Sequence, residues 1–377
     1  MSSIDENAAS VVAAVTAEFG DDLESADPRA LNDFAMRQLS EQGFFELDFI
    51  SKGMFNPADI SKVAQAITAL TYRSPLLSSV YLVSAIFCGL CISMLGSKEQ
   101  KERLLSGLAA GKTKLAFAMT EPQAGSDVGA IEAGFSRDGE DIIVSGAKQF
   151  ITGSSVADSI LLICREFGDD IDRRSLTIVE LPANVDGLSI EPMPKLSSNA
   201  QPSCRLQMKD IRLPASHILG GAEAAGKAFM VLRMAGGLER LSVAISSTAS
   251  ARRAYDLAAE FAREREQFGQ KIVQHQSIQH RLVDMAMTLK TMELLTADAV
   301  ASAASGEMSP LKICMAKAWC AEKLQEIVQS AMRIHGGRGY FLENEIAHLY
   351  RGAPLSLYAG GTTELQKNQI ARELKLT

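Results

Sequence analysis

The chain has 377 residues, 47% of them apolar, and a formal net charge of −7. That is enough apolar material for two or three cores and too much for a disordered chain. Its Lys and Arg are scattered among Glu and Asp with no basic stripe, which argues against a nucleic-acid partner. Six cysteines in this length argue against a disulfide-stapled module.

The segment Met1 to Glu6 carries two acids and no basic stretch, so neither a signal nor a transit peptide is expected, and the expected compartment is the cytoplasm. Residues from about 8 to 113 read as helical. Pro28 opens a segment with Leu31, Phe34, Leu39 and Phe44 at three- and four-residue spacing. Asn56-Pro57 marks another helix start, with Ile60, Val63 and Ile67 on one face. Ser74 to Gly96 carries no charge and is long enough to raise the question of a membrane. Pro75, Gly89 and five serines favour a buried core helix instead, so no membrane span is expected. Cys88 and Cys91 have the spacing of metal ligands, but their neighbours are apolar and no second pair follows, so they read as buried thiols. Ser97, followed by Glu99 and Gln100, predicts a helix to Leu108.

From about 114 to 220 the segments shorten and β-branched residues increase. Ile142 to Val144, Ile160 to Cys164 and Leu176 to Val179 read as strands, with Gly187 to Ile190 and Arg205 to Met208 as weaker ones. Asp138-Gly139 suits a hairpin turn. No dinucleotide-binding glycine fingerprint follows a strand, and no helical crossovers separate the strands. An antiparallel barrel or sandwich is therefore expected rather than a doubly wound sheet. From about 226 a 3.6-residue period returns, with Leu282, Met285, Leu289 and Met292 on one face. Ser309-Pro310 predicts a helix that ends before Gly336-Gly337. The expected fold is α+β: an N-terminal helical domain over 1–113, a middle β domain over 114–225 and a C-terminal four-helix bundle over 226–377.

Four segments carry chemistry. Ala118 to Asp127 reads as a strand entering a Gly-Ser-Asp turn whose amides suit a phosphate, and equally as a solvent loop. Gly146 to Gly153 sets an aromatic ring and a hydroxyl side by side, able to flank a planar cofactor or to sit in core. Arg263 to Lys271, followed by Gln276, offers Arg265 as a fork for a diphosphate, or a solvated helix face. Ile334 to Tyr340 and Tyr358 to Gln366 end in a glycine turn opening a helix, with Thr363 and Gln366 spaced as a capping box and its N–H groups suited to phosphate.

In this order these segments resemble the acyl-CoA dehydrogenase family across nearly the whole chain. The closest matches are Thr-Glu-Pro-x-x-Gly-Ser-Asp, Arg-x-x-Phe-Gly, and Gly-Gly-x-Gly-Tyr followed by Gly-Thr-x-Glu-x-Gln. The resemblance implies one FAD per subunit and commonly a homotetramer. It implies that Phe117, Met119 and Thr120 line the flavin, that Phe150 covers it and that Thr152 donates near its N5. Ser126 would sit near the diphosphate and the acyl group, Arg265, Phe268 and Gln276 would reach a partner subunit's ADP, and Arg333 would lie on the adenine side. Gly336 and Gly337 would let backbone approach the cofactor, and Thr362 and Glu364 would stand at its adenosine-diphosphate end. The substrate would be an acyl thioester, on coenzyme A or a carrier protein, contacted by Ser126, Leu238, Arg240 and Gly361. The electron acceptor would be an electron-transferring flavoprotein or similar protein.

Several positions depart from the pattern. Many members place the catalytic glutamate immediately before the Gly-Thr of the last motif, and here that residue is Gly360. Members acting on isovaleryl and long-chain thioesters place it on the first long C-terminal helix before an arginine, which here is Glu239 before Arg240. The resemblance therefore makes Glu239 the base, with the Gly360 N–H left to assist the thioester carbonyl. Arg333 stands for a glutamine, Gly352 for an aspartate and Phe150 for a tryptophan. These departures would also suit a catalytically silent or auxiliary subunit of a hetero-oligomer, or a flavin monooxygenase of the same fold.

Overall fold

The computed structural model describes residues 3–168 and 175–376. The chain divides into two compact units, Met1–Asp59 with Leu76–Gly236, and Ile60–Pro75 with Gly237–Thr377. The N-terminal helices and the sheet thus fall in one unit, while the helix Asp59–Arg73 goes almost entirely with the C-terminal helices.

In the first unit, Pro28–Glu41 starts where Asp27 accepts the Ala30 N–H at 2.8 Å, with Pro28 in the first turn where no N–H is needed. It buries Leu31, Ala35 and Leu39. The uncharged helix Pro75–Leu95 is a core element, with 78% of its most apolar window buried inside the protein. Cys88 and Cys91 lie within it as buried free thiols, and burial pushes Cys91 up to about 12. Mid-helix, a widened turn spans Leu82–Cys88. There Ser84 Oγ accepts the Leu115 N–H at 3.1 Å and donates to its carbonyl at 2.9 Å, fixing the start of the sheet. Ser97 caps the next helical stretch, as expected, and Gln100 completes a reciprocal capping box with it.

The sheet has seven strands: β1 (Leu115–Ala118), β2 (Gly134–Asp138), β3 (Asp141–Thr152), β4 (Ser159–Glu166), β5 (Thr177–Pro182), β6 (Leu188–Met193) and β7 (Ser203–Pro214). Their order is β1-β4-β2-β3-β7-β6, with β5 also on β4. The β2–β3 hairpin turns after Asp138, as the sequence predicts. The expected antiparallel barrel or sandwich is corrected in one respect: β1 and β2 both run parallel to β4, so the sheet is mixed. Non-local pairings of this kind leave no mark in a period-two pattern. β3 pairs with β7 through two irregularities, at Val144/Gly146 and at Lys148/Ile151. Ile142, Val144, Leu162, Val179, Leu206 and Ile211 fill the core on the sheet's inner face.

The second unit is built from the helices Gln276–Ala304, Pro310–His335 and Thr363–Glu373 with the greater part of Phe229–Glu264. Leu282, Met285, Leu289 and Met292 are buried on one face, as their spacing predicts. The Asp59–Arg73 helix joins this unit through Tyr72, whose hydroxyl donates to Asp256 at 3.0 Å. Its first turn lies two residues beyond the expected Asn56-Pro57 start, because Asn56 caps the turn at Ala58 with its own side chain.

Candidate active site

In the sheet unit the loop that leaves β1 is fixed by a buried ion pair. The Lys148 ammonium, fully buried on β3, donates to Glu121 at 2.6 Å and to the Met119 carbonyl at 2.9 Å. Glu121 also accepts from the backbone N–H groups of Glu132 at 2.7 Å and Ala133 at 3.0 Å, and from Gln123 Nε2 at 2.7 Å. The Thr120 carbonyl accepts the Gln149 N–H at 2.9 Å, which brings Met119 and Thr120 beside Phe150. Phe117, Met119 and Thr120 are half-buried.

Phe150 is 58% exposed and has a φ of 61°. A bulky residue in the left-handed region is strained, and such strain gathers at functional positions. The irregularity between Lys148 and Ile151 causes it, turning Phe150 out of the face that Lys148 enters. Thr152 Oγ1 stands 3.1 Å from Ser203 Oγ. Ser126 lies exposed in the Gly-Ser-Asp turn, which Asp127 closes by accepting the Gly129 N–H at 3.2 Å.

The helical unit gathers a second group of the expected residues. Glu239 and Arg240 lie half-buried on the Phe229–Glu264 helix, beside the turn Gly360-Gly361. Leu238 is buried next to them. Burial pushes the Glu239 carboxyl above the ordinary carboxylate range, opposed by the charge of Arg240, a hydrogen bond from the Gly360 N–H and the charge of Lys317. The Gly360 N–H, anticipated as a donor to a thioester carbonyl, is also one of the groups that lower the proton affinity of the Glu239 carboxyl.

The absence of a side chain at Gly360 has a physical cause. Its φ is +66°, and a Cβ would sit 3.4 Å from the Arg240 Cα and 3.5 Å from its N. The Cβ would make only ordinary contact there, but a glutamate at this position would carry left-handed strain, whereas Glu239 reaches its place from an unstrained helix.

The turn leads into Thr363–Glu373. Thr362, rather than the expected Thr363, caps that helix by accepting the Leu365 N–H at 3.3 Å. Gln366 does not complete a capping box; its Nε2 donates to the carbonyls of Gly360 and Gly361, each at 3.1 Å. Glu364 is exposed in the first turn, and its carboxyl is lowered by hydrogen bonds from its own backbone and from Thr362.

Phe261 stacks on His335 at 4.6 Å, setting the ends of two long helices side by side. Arg265, Phe268 and Gln276 follow the first end, while Arg333, Gly336 and Gly337 lie at the second, and all six are exposed. Phe268 is 95% exposed with a φ of 54°, on the hairpin between Glu266 and Lys271. Gly352 closes the short helix Glu345–Gly352, eight residues before Gly360.

Two functional features escaped the sequence reading. Lys317 is fully buried on Pro310–His335, and its signal was its register with Ile313, Cys314, Cys320 and Leu324 on the apolar face. The Glu121–Lys148 pair links residues 27 apart and leaves no local pattern.

Taken separately, the sheet unit offers features that suit a flat ring and the helical unit features that suit a diphosphate. Thr363 Oγ1 and Gln366 Oε1 are buried without a hydrogen-bond partner in the first turn of a helix. A Cβ added at Gly125, Gly336 or Gly337 would meet nothing, so ligand could approach backbone there. Phe150 offers an exposed aromatic face.

Models of the N-terminal, middle and C-terminal domains of acyl-CoA dehydrogenases match residues 2–112, 116–211 and 228–375. A 3-(aryl)acrylate reductase of Clostridium sporogenes is 30% identical over 347 residues, covering 90% of this chain and 89% of that protein. The mitochondrial long-chain specific acyl-CoA dehydrogenase of Rattus norvegicus is 30% identical over 288 residues, 75% of this chain and 66% of that protein. The crystal structure of a probable acyl-CoA dehydrogenase from Mycobacterium abscessus superposes with a TM-score of 0.87 at 27% identity, covering 98% of this chain and 97% of that one.

Proposed function

The chain belongs to the acyl-CoA dehydrogenase family, whose members are FAD-dependent oxidoreductases, and we propose that it dehydrogenates an acyl thioester between Cα and Cβ with Glu239 as the base. The observation that carries this reading is the placement of Glu239 and Arg240 on Phe229–Glu264 against the Gly360-Gly361 turn, where burial raises the proton affinity of the Glu239 carboxyl.

The α-proton of a thioester is weakly acidic, and a solvated carboxylate is a poor base for it. A carboxylate with raised proton affinity is better matched to the task. Glu239 takes that proton; the charges of Arg240 and Lys317 oppose, without cancelling, the effect of burial on its carboxyl. The Gly360 N–H orients it. A thioester carbonyl that competed for this N–H would free the carboxylate and raise its basicity further. Bound FAD supplies the acceptor for the β-hydrogen. Met119, Thr120, Phe150 and Thr152 would hold its ring, and Thr362, Thr363 and Gly336 its diphosphate end. Leu238 and Arg240 would contact the acyl group. The same groups serve oxidation or reduction of the bond, since the base of one direction is the acid of the other.

An assembly of several copies is our reading of the quaternary state, with a homotetramer as its form. Its support is the row of exposed apolar residues Val283, Met287 and Leu294 on Gln276–Ala304, together with the exposed Phe268 and Tyr340. An electron-transferring flavoprotein is the acceptor we propose. The cytoplasm is the proposed compartment, and six free cysteines fit a reducing one.

The test is anaerobic titration of the purified flavoprotein with acyl-CoA thioesters of graded length, followed in the flavin spectrum. Wild-type protein should bleach with at least one thioester, and Glu239→Gln should bind FAD without bleaching. Equal bleaching by both proteins removes Glu239 from the reaction. A colourless wild-type protein would instead indicate a silent or auxiliary subunit.

A further inference from the structure

The glycine turn beside Glu239 is fastened from inside the helical unit. Lys317 has no exposed surface, and its Nζ donates to the Leu357 carbonyl at 3.2 Å and the Gly361 carbonyl at 2.7 Å. Gln366 Nε2 holds the carbonyls of Gly360 and Gly361 at 3.1 Å each. The one ammonium ties the Leu357 and Gly361 carbonyls, so the Ala359–Gly360 peptide that carries the Gly360 N–H is held between two fixed points; that N–H lowers the proton affinity of the Glu239 carboxyl.

A lysine is an expensive residue for this task if the fold alone is at stake. Burying an ammonium costs several kcal/mol unless a carboxylate accompanies it. Among the described residues, Lys317 has no carboxylate within ion-pair distance; Glu364 and Glu239 act on it only through space, and burial lowers it to about 8. Neutral donors could hold two carbonyls at less cost. What a neutral donor would not bring is positive charge behind a desolvated glutamate.

We propose that Lys317 is the positioning residue of the base: it fastens the turn that aims the Gly360 N–H at Glu239, and its charge holds that carboxylate ready to accept a proton. This rests on the reading of Glu239 as the base. The charged groups facing Glu239 are Arg240 on its own helix and Lys317 on Pro310–His335. Those facing Lys317 are Glu364, Arg240, Cys314 and Glu239. Removing Lys317 withdraws one of two cations and loosens the N–H, and both changes raise the proton affinity of Glu239.

The experiment compares wild type, Lys317→Met and Gln366→Leu as FAD-loaded proteins. It records kcat/KM against pH and, separately, an isotope-edited infrared titration of the protonated carboxyl band that Glu239→Gln abolishes. Lys317→Met should lose about tenfold in kcat/KM at pH 6 and recover to within about twofold at pH 9, as expected when an opposite charge is taken from a carboxylate. The infrared band should persist to higher pH. Gln366→Leu should shift both in the same direction by less. A uniform loss at every pH with an unmoved band overturns the proposal. If Lys317→Met does not fold, Gln366→Leu decides, and an unshifted profile overturns it. A wild-type acid limb that survives in Glu239→Gln means the base itself was misassigned; a limb that Glu239→Gln abolishes but Lys317→Met leaves unmoved defeats only the role given to Lys317.

Discussion

Glu121, buried in the sheet unit, and Glu239, half-buried in the helical unit, both feel a lysine, yet their surroundings make them different chemical objects. Glu121 receives the Lys148 ammonium, two backbone N–H groups and the Gln123 amide, all within 3.0 Å. Its lone pairs are satisfied, and it serves as a fixed joint. Glu239 has the Gly360 N–H and two cations acting through space, too little to offset its desolvation. A buried carboxylate with a full set of donors is structural; one with too few keeps a proton affinity that chemistry can use.

That contrast is sharpened first by removing each carboxylate's function. Glu239→Gln should lower turnover with the preferred thioester by on the order of 10²- to 10⁴-fold, the usual contribution of a positioned general base, measured in a stopped-flow assay. A loss of less than about tenfold would place Glu239 with Glu121, as a structural group.

Next in size is the joint itself. Lys148→Met leaves a buried carboxylate without its cation, which costs about 3–5 kcal/mol in a urea unfolding series. Replacing both partners, Glu121→Met with Lys148→Met, should not recover that loss. The N–H groups of Glu132 and Ala133 would then lose their acceptor, at about 1–3 kcal/mol each. Recovery in the double variant would mean that the backbone bonds matter little and the pair is merely ionic.

The third prediction reverses the sign of stability. The folded-state proton affinity of Glu239 lies above its unfolded value, so its contribution to stability is full below the unfolded pKa and is lost as pH rises through the folded one. Glu239→Gln should therefore melt at a higher temperature than wild type at pH 8, with the gap closing toward pH 4. The measurement is calorimetry across pH on protein without substrate. A variant less stable at pH 8 would show that the carboxylate is held as firmly as Glu121.

Much of this frame can be read along the chain. Period and capping mark the long helices, and Pro28, Ser97 and Ser309 stand where helices begin. Glu239 follows from the loss of a carboxylate at Gly360 combined with the family resemblance. What stays hidden depends on contacts far apart in sequence. The parallel pairings of β1 and β2 with β4 are set by register across the sheet. The assignment of Asp59–Arg73 to the helical unit depends on Tyr72 meeting Asp256, 184 residues away. Gln366 has the spacing of a cap but the role of a clamp, because the turn before it presents inward-facing carbonyls.

Phe150 gives the smallest effect and the narrowest test. Residues two apart on a strand share a face, so the pattern places Phe150 with Lys148 in the interior. The irregularity in β3 breaks that rule: Lys148 is 0% exposed and Phe150 58%. Its φ of 61° costs a residue with a Cβ about 1–2 kcal/mol. Phe150→Gly removes that cost and, through a freer unfolded chain, gives back about 0.5–1 kcal/mol. With little packing to lose, the protein without cofactor should gain up to about 1 kcal/mol in urea unfolding, while its affinity for FAD falls. Destabilisation by more than about 1 kcal/mol would show that the ring packs as core, and unchanged FAD affinity would show that it does not cover the flavin. The expected pair of results, greater stability with weaker cofactor binding, would mean that the strain at Phe150 is retained because the exposed ring has a partner outside the chain.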